Sequence, residues 1–170
     1  VGLVKDLTVN KKQSIKEKSI LVIGAGGASR GILPSLLKEQ PKSIVIANRT
    51  VEKAERIAKE FSSNALQTSK SSNLIASSLS FEALKDFEFD VVINATSVST
   101  NPSQNLNLDE SVFRNTSLAL DLYYSQAFTP FMDLADRAKV PNVIDGWGML
   151  VEQAAESFFL WTGFKPDTSE

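Results

Sequence analysis

Length, composition and charge already limit the functions open to this chain. Its 170 residues suit one domain, and a 42% hydrophobic share is enough to bury a core. A net charge of −2 with interspersed signs gives no sequence-wide basic field, so nucleic acid and anionic membranes are not expected partners. The chain has no cysteine and no histidine, which excludes disulfides and thiol chemistry and removes the commonest zinc ligands. No metal site is predicted.

The apolar runs of the chain are short. None approaches the roughly 20 residues that a membrane-spanning helix needs, and the N-terminus lacks the charged-then-apolar order of a signal peptide. A cytoplasmic location is therefore the default expectation.

Strand and helix patterns alternate along the chain. Expected strands are Ser19–Ile23, Ser43–Ala47, Val91–Asn94, Leu118–Leu120 and Asn142–Ile144. Expected helices run to about Glu39, from about Val51 to Phe61, near Pro130–Ala138 and from about Met149 to Trp161. This order predicts an α/β fold, a Rossmann-like doubly wound and mainly parallel sheet with helices on both faces.

Two polar stretches interrupt the alternation. Ser62–Ser80 is rich in serine and asparagine and predicts loops around one short strand at Ala65–Gln67. Ser99–Glu110 predicts a second polar loop, which follows a strand end where ligands usually bind.

A glycine-rich loop follows the first expected strand, in the order Gly24-Ala25-Gly26-Gly27-Ala28-Ser29-Arg30-Gly31. Small residues let the backbone turn sharply and approach a pyrophosphate, while the N–H groups and dipole of the next helix favour negative charge. Gly24 and Gly26 fit the dinucleotide pattern G-x-G-x-x-G, but Ser29 stands at the third position. The loop predicts a nucleotide cofactor.

The end of the second expected strand, Asn48-Arg49-Thr50, indicates which cofactor. An acidic residue here would accept the ribose 2′-hydroxyl of NAD, whereas the guanidinium of Arg49 suits a 2′-phosphate. Lys53 and Arg56, on the next helical turns, would add positive charge. NADP is therefore favoured over NAD. The alternative interpretation is that these are ordinary solvated residues at the start of a helix.

Five blocks in this order together resemble shikimate dehydrogenases. They are Ile23–Gly31, Ala47–Thr50, Val92–Ser97, Asp121–Tyr124 followed by Thr129–Phe131, and Asp145–Ala155. The resemblance implies the NADP-dependent interconversion of 3-dehydroshikimate and shikimate in aromatic amino-acid biosynthesis.

The resemblance also implies which residues form the site. The pyrophosphate loop would be Gly24, Ala25, Gly26, Gly27 and Ala28, and the 2′-phosphate clamp Asn48, Arg49, Thr50 and Lys53. The nicotinamide end would be lined by Thr96, Leu122, Gly146 and Met149, and the substrate would be reached by Tyr124 and Gln153.

Four positions depart from the resembled pattern. Lys53 stands where arginine is common, and Leu122 stands where methionine is usual. Val98 replaces a glycine-containing turn, so this loop is expected to take a different path, because a β-branched residue resists positive φ. Trp147 replaces a smaller aliphatic residue. It would narrow the nicotinamide pocket, pack on the cofactor or fill a gap in the core.

No residue of the chain is assigned as catalytic. The Tyr-x-x-x-Lys spacing fails, because Tyr123 and Tyr124 are followed at that distance by Ala127 and Phe128. In the resembled family the acid–base lysine and its aspartate partner lie in an N-terminal substrate domain. Residues 1–170 are therefore interpreted as an excised C-terminal NADP-binding domain, which binds NADP(H) without turnover. It would share a small-molecule substrate with the missing domain, in a full-length protein that is a monomer or a homodimer.

Two alternatives stay open. One is the domain of a quinate/shikimate dehydrogenase, whose preference for NAD commonly goes with an acidic residue near Thr50, although none occurs there. The other is a complete, stand-alone dinucleotide-binding module without catalysis of its own.

Overall fold

The fold is built on a parallel sheet of six strands. The computed structural model describes residues 2–68, 75–100 and 106–168. The strands are β1 Ser19–Ile23, β2 Ser43–Ala47, β3 Ile75–Leu79, β4 Val91–Asn94, β5 Leu118–Asp121 and β6 Asn142–Ile144. Their spatial order is β3-β2-β1-β4-β5-β6, and every neighbouring pair is parallel.

The helices connect these strands. Helix α1, Gly2–Lys5, continues directly as a π-helix over Asp6–Asn10, and α2 to α5 cover Gly27–Lys38, Val51–Thr68, Pro130–Arg137 and Trp147–Thr162. Short 3₁₀ turns lie at Ala83–Asp86, Val98–Thr100 and Glu110–Phe113. Within the described ranges, no helix is both long and apolar enough to cross a membrane.

Both faces of the sheet are buried, because successive side chains of a strand point to opposite faces. In β1, Ile20 and Val22 pack with residues of α1, α2 and α3 in one apolar cluster. Leu21 and Ile23 point the other way and pack with residues of α4 and the 3₁₀ turns in a second cluster. The helices therefore cover both faces, which confirms the predicted doubly wound α/β architecture.

The predicted strand–helix order is largely confirmed. Strands β1, β2, β4 and β6 have the expected bounds, and β5 extends one residue further, to Asp121. Helix α5 begins at Trp147, two residues before the prediction, and α3 continues well beyond Phe61. The ends of β1, β2 and β6 could be read locally because the turn-forming residues Gly24, Asn48 and Asp145 follow them.

One element was predicted wrongly. Ala65–Gln67 lies in the last turns of α3, and the edge strand is instead Ile75–Leu79. The spacing of Ala54, Ile57, Ala58 and Phe61 continues at helical period to Ala65, so the helix extends where a strand was expected. Strand β3 is fixed by its parallel register with β2, in which Ser43 pairs with Ile75.

The direction in which strands are added to the sheet reverses at β1. Strands β2 and β3 lie on one side of it, and β4, β5 and β6 lie on the other. Strands β2 and β4 flank β1 on opposite sides, so the loops after β1 and β4 diverge at the carboxyl edge of the sheet. In open α/β sheets this divergence leaves a crevice in which ligands bind. The candidate site is therefore expected beside Gly24 and Ala95.

Candidate cofactor site

The crevice begins at Gly24, the residue directly after β1. The Gly24 amide donates to the Ala47 carbonyl oxygen at 2.7 Å, and the Ala95 amide donates to the Ile23 carbonyl oxygen at 2.8 Å. Gly24 has φ +110°, and a Cβ built on it would lie 2.9 Å from the Ala95 carbonyl oxygen. Glycine is required here both by backbone conformation and by space.

Helix α2 is joined to the end of β1 by Ser29, which occupies the third position of the glycine pattern. Its side chain is fully buried, and its hydroxyl donates to the Gly24 carbonyl oxygen at 2.8 Å. The sequence pattern treated Ser29 only as a small residue at this position. It did not reveal the hydrogen bond to Gly24. A Cβ on Gly26 or Gly27 would meet no atom within 4 Å, so the loop backbone between β1 and α2 faces open space.

The end of β2 supplies the basic side of the site. Asn48 Nδ2 donates to the Thr50 carbonyl oxygen at 2.9 Å, which holds the turn into α3. Arg49, Thr50 and Lys53 are exposed, and none of the ion pairs among the described residues includes Arg49 or Lys53. Both cations are available to an anionic ligand.

These two segments and the end of β4 line one cavity of about 460 Å³. Its lining residues are Gly24, Ala25, Gly26, Gly27, Ala28, Asn48, Arg49, Thr50, Lys53, Ala95, Thr96 and Ser97. Ten of these were predicted as site residues, whereas Ala95 and Ser97 were not. Arg56, which was expected to add charge, is not among the described lining residues.

Three residues predicted at the nicotinamide end lie next to this cavity rather than in its lining. The Leu122 amide donates to the Asn94 carbonyl oxygen at 2.9 Å, directly after β5. A Cβ on Gly146 would lie 2.1 Å from the Leu122 carbonyl oxygen, so these two backbones touch. Met149 follows in the first turn of α5, and its side chain packs on the same apolar cluster as Leu122. The three residues form a patch at the ends of β5 and β6.

The two predicted substrate residues lie on different segments, Tyr124 after β5 and Gln153 within α5. Tyr124 is exposed, and its ring centroid lies 5.6 Å from that of Trp147 at the start of α5. Gln153 is also exposed, and its Cγ would lie 2.6 Å from a Cβ built on Gly2. The cavity of about 460 Å³ includes neither side chain in its lining. Trp147 is 56% exposed, so it fills no gap in the core.

The departure at Val98 is accommodated by a 3₁₀ turn over Val98–Thr100. Val98 is not among the described residues with positive φ, as a β-branched side chain requires. The predicted polar loop continues through residues 101–105, which lie outside the described residues.

The sequence did not predict a buried polar network that lies behind the cavity. It consists of Asn94, Ser99, Asp121 and Thr129, whose side chains are linked by hydrogen bonds. The signal available was the position of Asn94 and Asp121, since a polar residue that ends an apolar strand needs a partner once buried.

A larger groove of about 830 Å³ lies elsewhere on the molecule. It is lined by Phe81, Glu82, Lys85, Asp86, Phe87, Glu88, Asn107, Asp109, Ser111 and Arg114, and includes no predicted site residue. Its charges are of both signs, and it lacks the glycine loop that an anionic cofactor would use. Among the described residues, no group of three or more acidic side chains is arranged to hold a metal ion.

Comparison with known protein families agrees with this arrangement. A family model described as shikimate / quinate 5-dehydrogenase matches residues 6–124, which include the glycine loop, the basic turn and the ends of β4 and β5. This chain belongs to the shikimate dehydrogenase family. A second model, described as the shikimate 5′-dehydrogenase C-terminal domain, matches residues 146–170.

A curated relative and two solved structures illustrate the similarity of this shikimate dehydrogenase family member. The NADP(+) shikimate dehydrogenase of Nitrosospira multiformis is 42% identical over 98% of this chain and 57% of its own length. An Ael1 enzyme from Pseudomonas putida is 38% identical, with a TM-score of 0.83 over 98% of this chain and 58% of that one. Shikimate 5-dehydrogenase of Thermus thermophilus, solved in complex with NADP(H) and shikimate, is 28% identical, with a TM-score of 0.78. The match covers 98% of this chain and 56% of that one. The chain thus spans somewhat more than half the length of these relatives.

Proposed function

We propose that this chain binds NADP(H) in the cavity between the glycine loop and the basic turn, as the cofactor-binding part of a shikimate dehydrogenase. The observation that carries the proposal is the joint lining of one cavity by Gly24–Ala28 and by Arg49 and Lys53. The curated relative described above is named as NADP(+)-dependent, which supports the same cofactor here.

The glycine loop fits a pyrophosphate. The space above Gly26 and Gly27 is open, and α2 begins at Gly27, so its first amide groups lack carbonyl partners within the helix. Free N–H groups and the positive end of the helix dipole stabilise phosphate oxygens. A side chain at Gly26 would project into the space that the phosphates need.

The basic turn fits a 2′-phosphate. Arg49 offers a planar set of donors suited to two phosphate oxygens, and Lys53 adds a second charge from the first turns of α3. No acidic side chain occurs in Asn48–Val51, where a carboxylate would repel the phosphate and bind the ribose of NAD instead.

The chemistry of the bound cofactor would be hydride transfer at its nicotinamide ring. Thr96, Leu122, Gly146 and Met149 would shape that end of the site, and Tyr124 and Gln153 would donate hydrogen bonds to a polyhydroxylated acid. Hydride transfer to or from an alcohol also needs a group that exchanges the hydroxyl proton. Among the described residues that line the cavity, the only titratable side chains are Arg49 and Lys53, at the phosphate end. We therefore expect cofactor binding without turnover by residues 1–170 alone.

The test is calorimetric titration of the chain with NADPH and then NADH, repeated with Arg49→Ala and Arg56→Ala. Arg49→Ala is expected to lower NADPH affinity by about tenfold or more, because it removes a charge-assisted contact, and to leave NADH binding nearly unchanged. Arg56→Ala is the matched control, since Arg56 lies about one turn beyond Lys53 in α3 and is not among the residues that line the cavity. Equal affinity of the folded wild type for both cofactors, or equal losses in the two variants, would contradict the proposal.

A further inference from the structure

A carboxylate sits behind the candidate site with no cationic partner among the described residues. Asp121, the last residue of β5, is fully buried. Its Oδ1 accepts from Asn94 Nδ2 and from the Tyr123 amide, both at 3.1 Å. Its Oδ2 accepts from the Ser99 hydroxyl at 2.5 Å and the Thr129 hydroxyl at 2.6 Å. Four donors converge on this one side chain, and their hydrogen bonds offset the cost of burying a polar group.

The four donors come from three segments that border the site. Asn94 and Ser99 lie at the end of β4 and in the 3₁₀ turn that follows it, and Tyr123 lies in the turn after β5. Thr129 caps α4 by accepting from the Met132 amide at 3.2 Å. One side chain therefore fixes the loops after β4 and β5 relative to each other and to α4.

The network also fixes the orientation of the Asn94 amide. Asn94 Nδ2 donates to Asp121 Oδ1 and lies within hydrogen-bond distance of Ser99 Oγ, both at 3.1 Å, so this side of the amide faces the network. The opposite atom, Asn94 Oδ1, then accepts from the Thr96 hydroxyl at 2.7 Å and from the Thr96 amide at 3.2 Å. With its proton committed to Asn94, the Thr96 hydroxyl is an acceptor: one lone pair accepts from the Val98 amide at 3.3 Å, and the other is left in a residue that lines the cavity.

We propose that Asp121 is a positioning residue for the cofactor site, acting through Asn94 to hold Thr96 as a hydrogen-bond acceptor and through Tyr123 to hold the turn before Tyr124. The ligand part of this proposal rests on the proposed NADP(H) function. In this proposal, Asp121 positions the residues that follow β4 and β5, whereas Arg49 contacts the ligand at the end of β2. A ligand group that donates a hydrogen bond, such as a carboxamide, is the one that Thr96 would select.

The first test measures amide hydrogen exchange by NMR, without any ligand, in Asp121→Asn. Asparagine cannot accept four hydrogen bonds on one side chain in this arrangement, so the Thr96 and Tyr123 amides are expected to exchange about tenfold faster. The Gly24 and Ala95 amides bond to backbone carbonyl oxygens of other strands and serve as internal references. Unchanged exchange at Thr96 and Tyr123, or equal acceleration at all four amides, would overturn the proposal.

The second test separates the two ends of the site by calorimetry. Asp121→Asn is expected to weaken NADPH by about tenfold and adenosine 2′,5′-bisphosphate, which lacks the nicotinamide, by less than about twofold. A purely structural role would weaken both ligands alike, and that result would overturn the proposal. Should the wild type bind neither ligand, the NADP(H) function fails, and the exchange measurement alone decides the role of Asp121.

Two further variants keep the tests decisive. Asp109→Asn is the matched control, because Asp109 also accepts a backbone hydrogen bond, from the Ser111 amide at 2.8 Å, but is exposed and lies in the other groove. It is expected to leave NADPH affinity and Thr96 exchange unchanged. Ser99→Ala removes one donor without altering the carboxylate. Ser99→Ala is expected to lower NADPH affinity and to speed amide exchange at Thr96 and Tyr123, each by a smaller factor than Asp121→Asn. The proposal therefore stays testable if Asp121→Asn folds poorly.

Discussion

Two glycines of the same loop are needed for different reasons. A Cβ on Gly24 would lie 2.9 Å from the Ala95 carbonyl oxygen and 3.1 Å from Thr96 Cγ2, in a residue whose φ is +110°. A Cβ on Gly26 would meet nothing within 4 Å, and its φ of −102° is open to any residue. Gly24 is therefore required by the fold, whereas Gly26 is free to change unless a ligand occupies the space above it.

Alanine at these two positions separates folding from binding. Gly26→Ala is expected to change the free energy of unfolding by less than about 0.5 kcal/mol, while NADPH affinity falls by about tenfold or more because the methyl group enters the phosphate space. Gly24→Ala is expected to destabilise the chain by about 1–3 kcal/mol, because the backbone conformation is strained for a side chain. Urea denaturation and calorimetry measure the two effects. Full NADPH affinity in Gly26→Ala would contradict the placement of the cofactor.

At the scale of elements, α1 and its π-helical continuation are joined to α5 by buried acids. Glu152, 2% exposed, pairs with Lys5 and accepts from Asn10 Nδ2 at 2.9 Å and from the Thr168 hydroxyl at 2.7 Å. Burial acts to raise the pKa of Glu152, but the hydrogen bonds from Lys5, Asn10 and Thr168 together with the Lys5 charge hold it below its usual value of 4.5. Its stabilising contribution is present above that value and is lost as the pH falls through its folded-state pKa.

Asp6 behaves in the opposite way. It is 1% exposed, its Oδ1 accepts from Asn10 Nδ2 at 3.3 Å, and its Oδ2 has no partner among the described residues. Burial, reinforced by the nearby Glu152 and Asp145 charges, raises the pKa of Asp6 above its usual 3.8, although Asn10 and Lys11 oppose the shift. A raised carboxyl pKa costs stability as the pH rises from the unfolded-state value through the folded-state value.

Neutralising Asp6 is therefore expected to help at neutral pH. Asp6→Asn should raise the free energy of unfolding by about 1 kcal/mol at pH 7, because an ionised and incompletely bonded oxygen is removed. The gain should shrink as the pH falls and vanish well below pH 3.8, where the carboxyl is protonated in the folded and the unfolded state. Denaturant unfolding across this range measures the difference. Glu152→Gln is the control of opposite sign, expected to lose about 2 kcal/mol at pH 7 and progressively less on acidification.

At the scale of the whole molecule, the C-terminal end of α5 carries an exposed apolar surface. Among the described residues, only Glu152 and Ala155 of this helix are buried, while Phe158, Phe159, Leu160, Trp161 and the nearby Phe164 are exposed. Leu160 and Trp161 are 73% and 82% exposed. Contiguous exposed apolar patches of this kind mark surfaces that associate with other protein.

The purified chain is expected to self-associate weakly through this surface. Sedimentation velocity should show a concentration-dependent increase in mean sedimentation coefficient, which Leu160→Glu with Trp161→Glu abolishes, since burying two charges opposes association. Phe87→Glu is the control, because Phe87 is 46% exposed but borders the separate groove. A concentration-independent monomer, or equal behaviour of both variants, would show that the surface does not drive association.

The sequence by itself determined the features that depend on neighbours in the chain. Apolar runs that end at glycine, asparagine or aspartate predicted β1, β2, β4 and β6, and the spacing of the glycines and of Arg49 predicted residues that line one cavity. These predictions succeeded because strand alternation, tight turns and helix starts are set by residues a few positions apart.

Only the tertiary structure decided the contacts between distant segments. The position of β3 follows from its register with β2, and Asn94 meets Asp121 although they are 27 residues apart. Lys5 pairs with Glu152 across 147 residues. Such pairings depend on which strand ends and helices pack together, and no local pattern records that. For the same reason the sequence placed Asp121 in a family block after an apolar strand, but its four hydrogen-bond partners could be identified only from the fold.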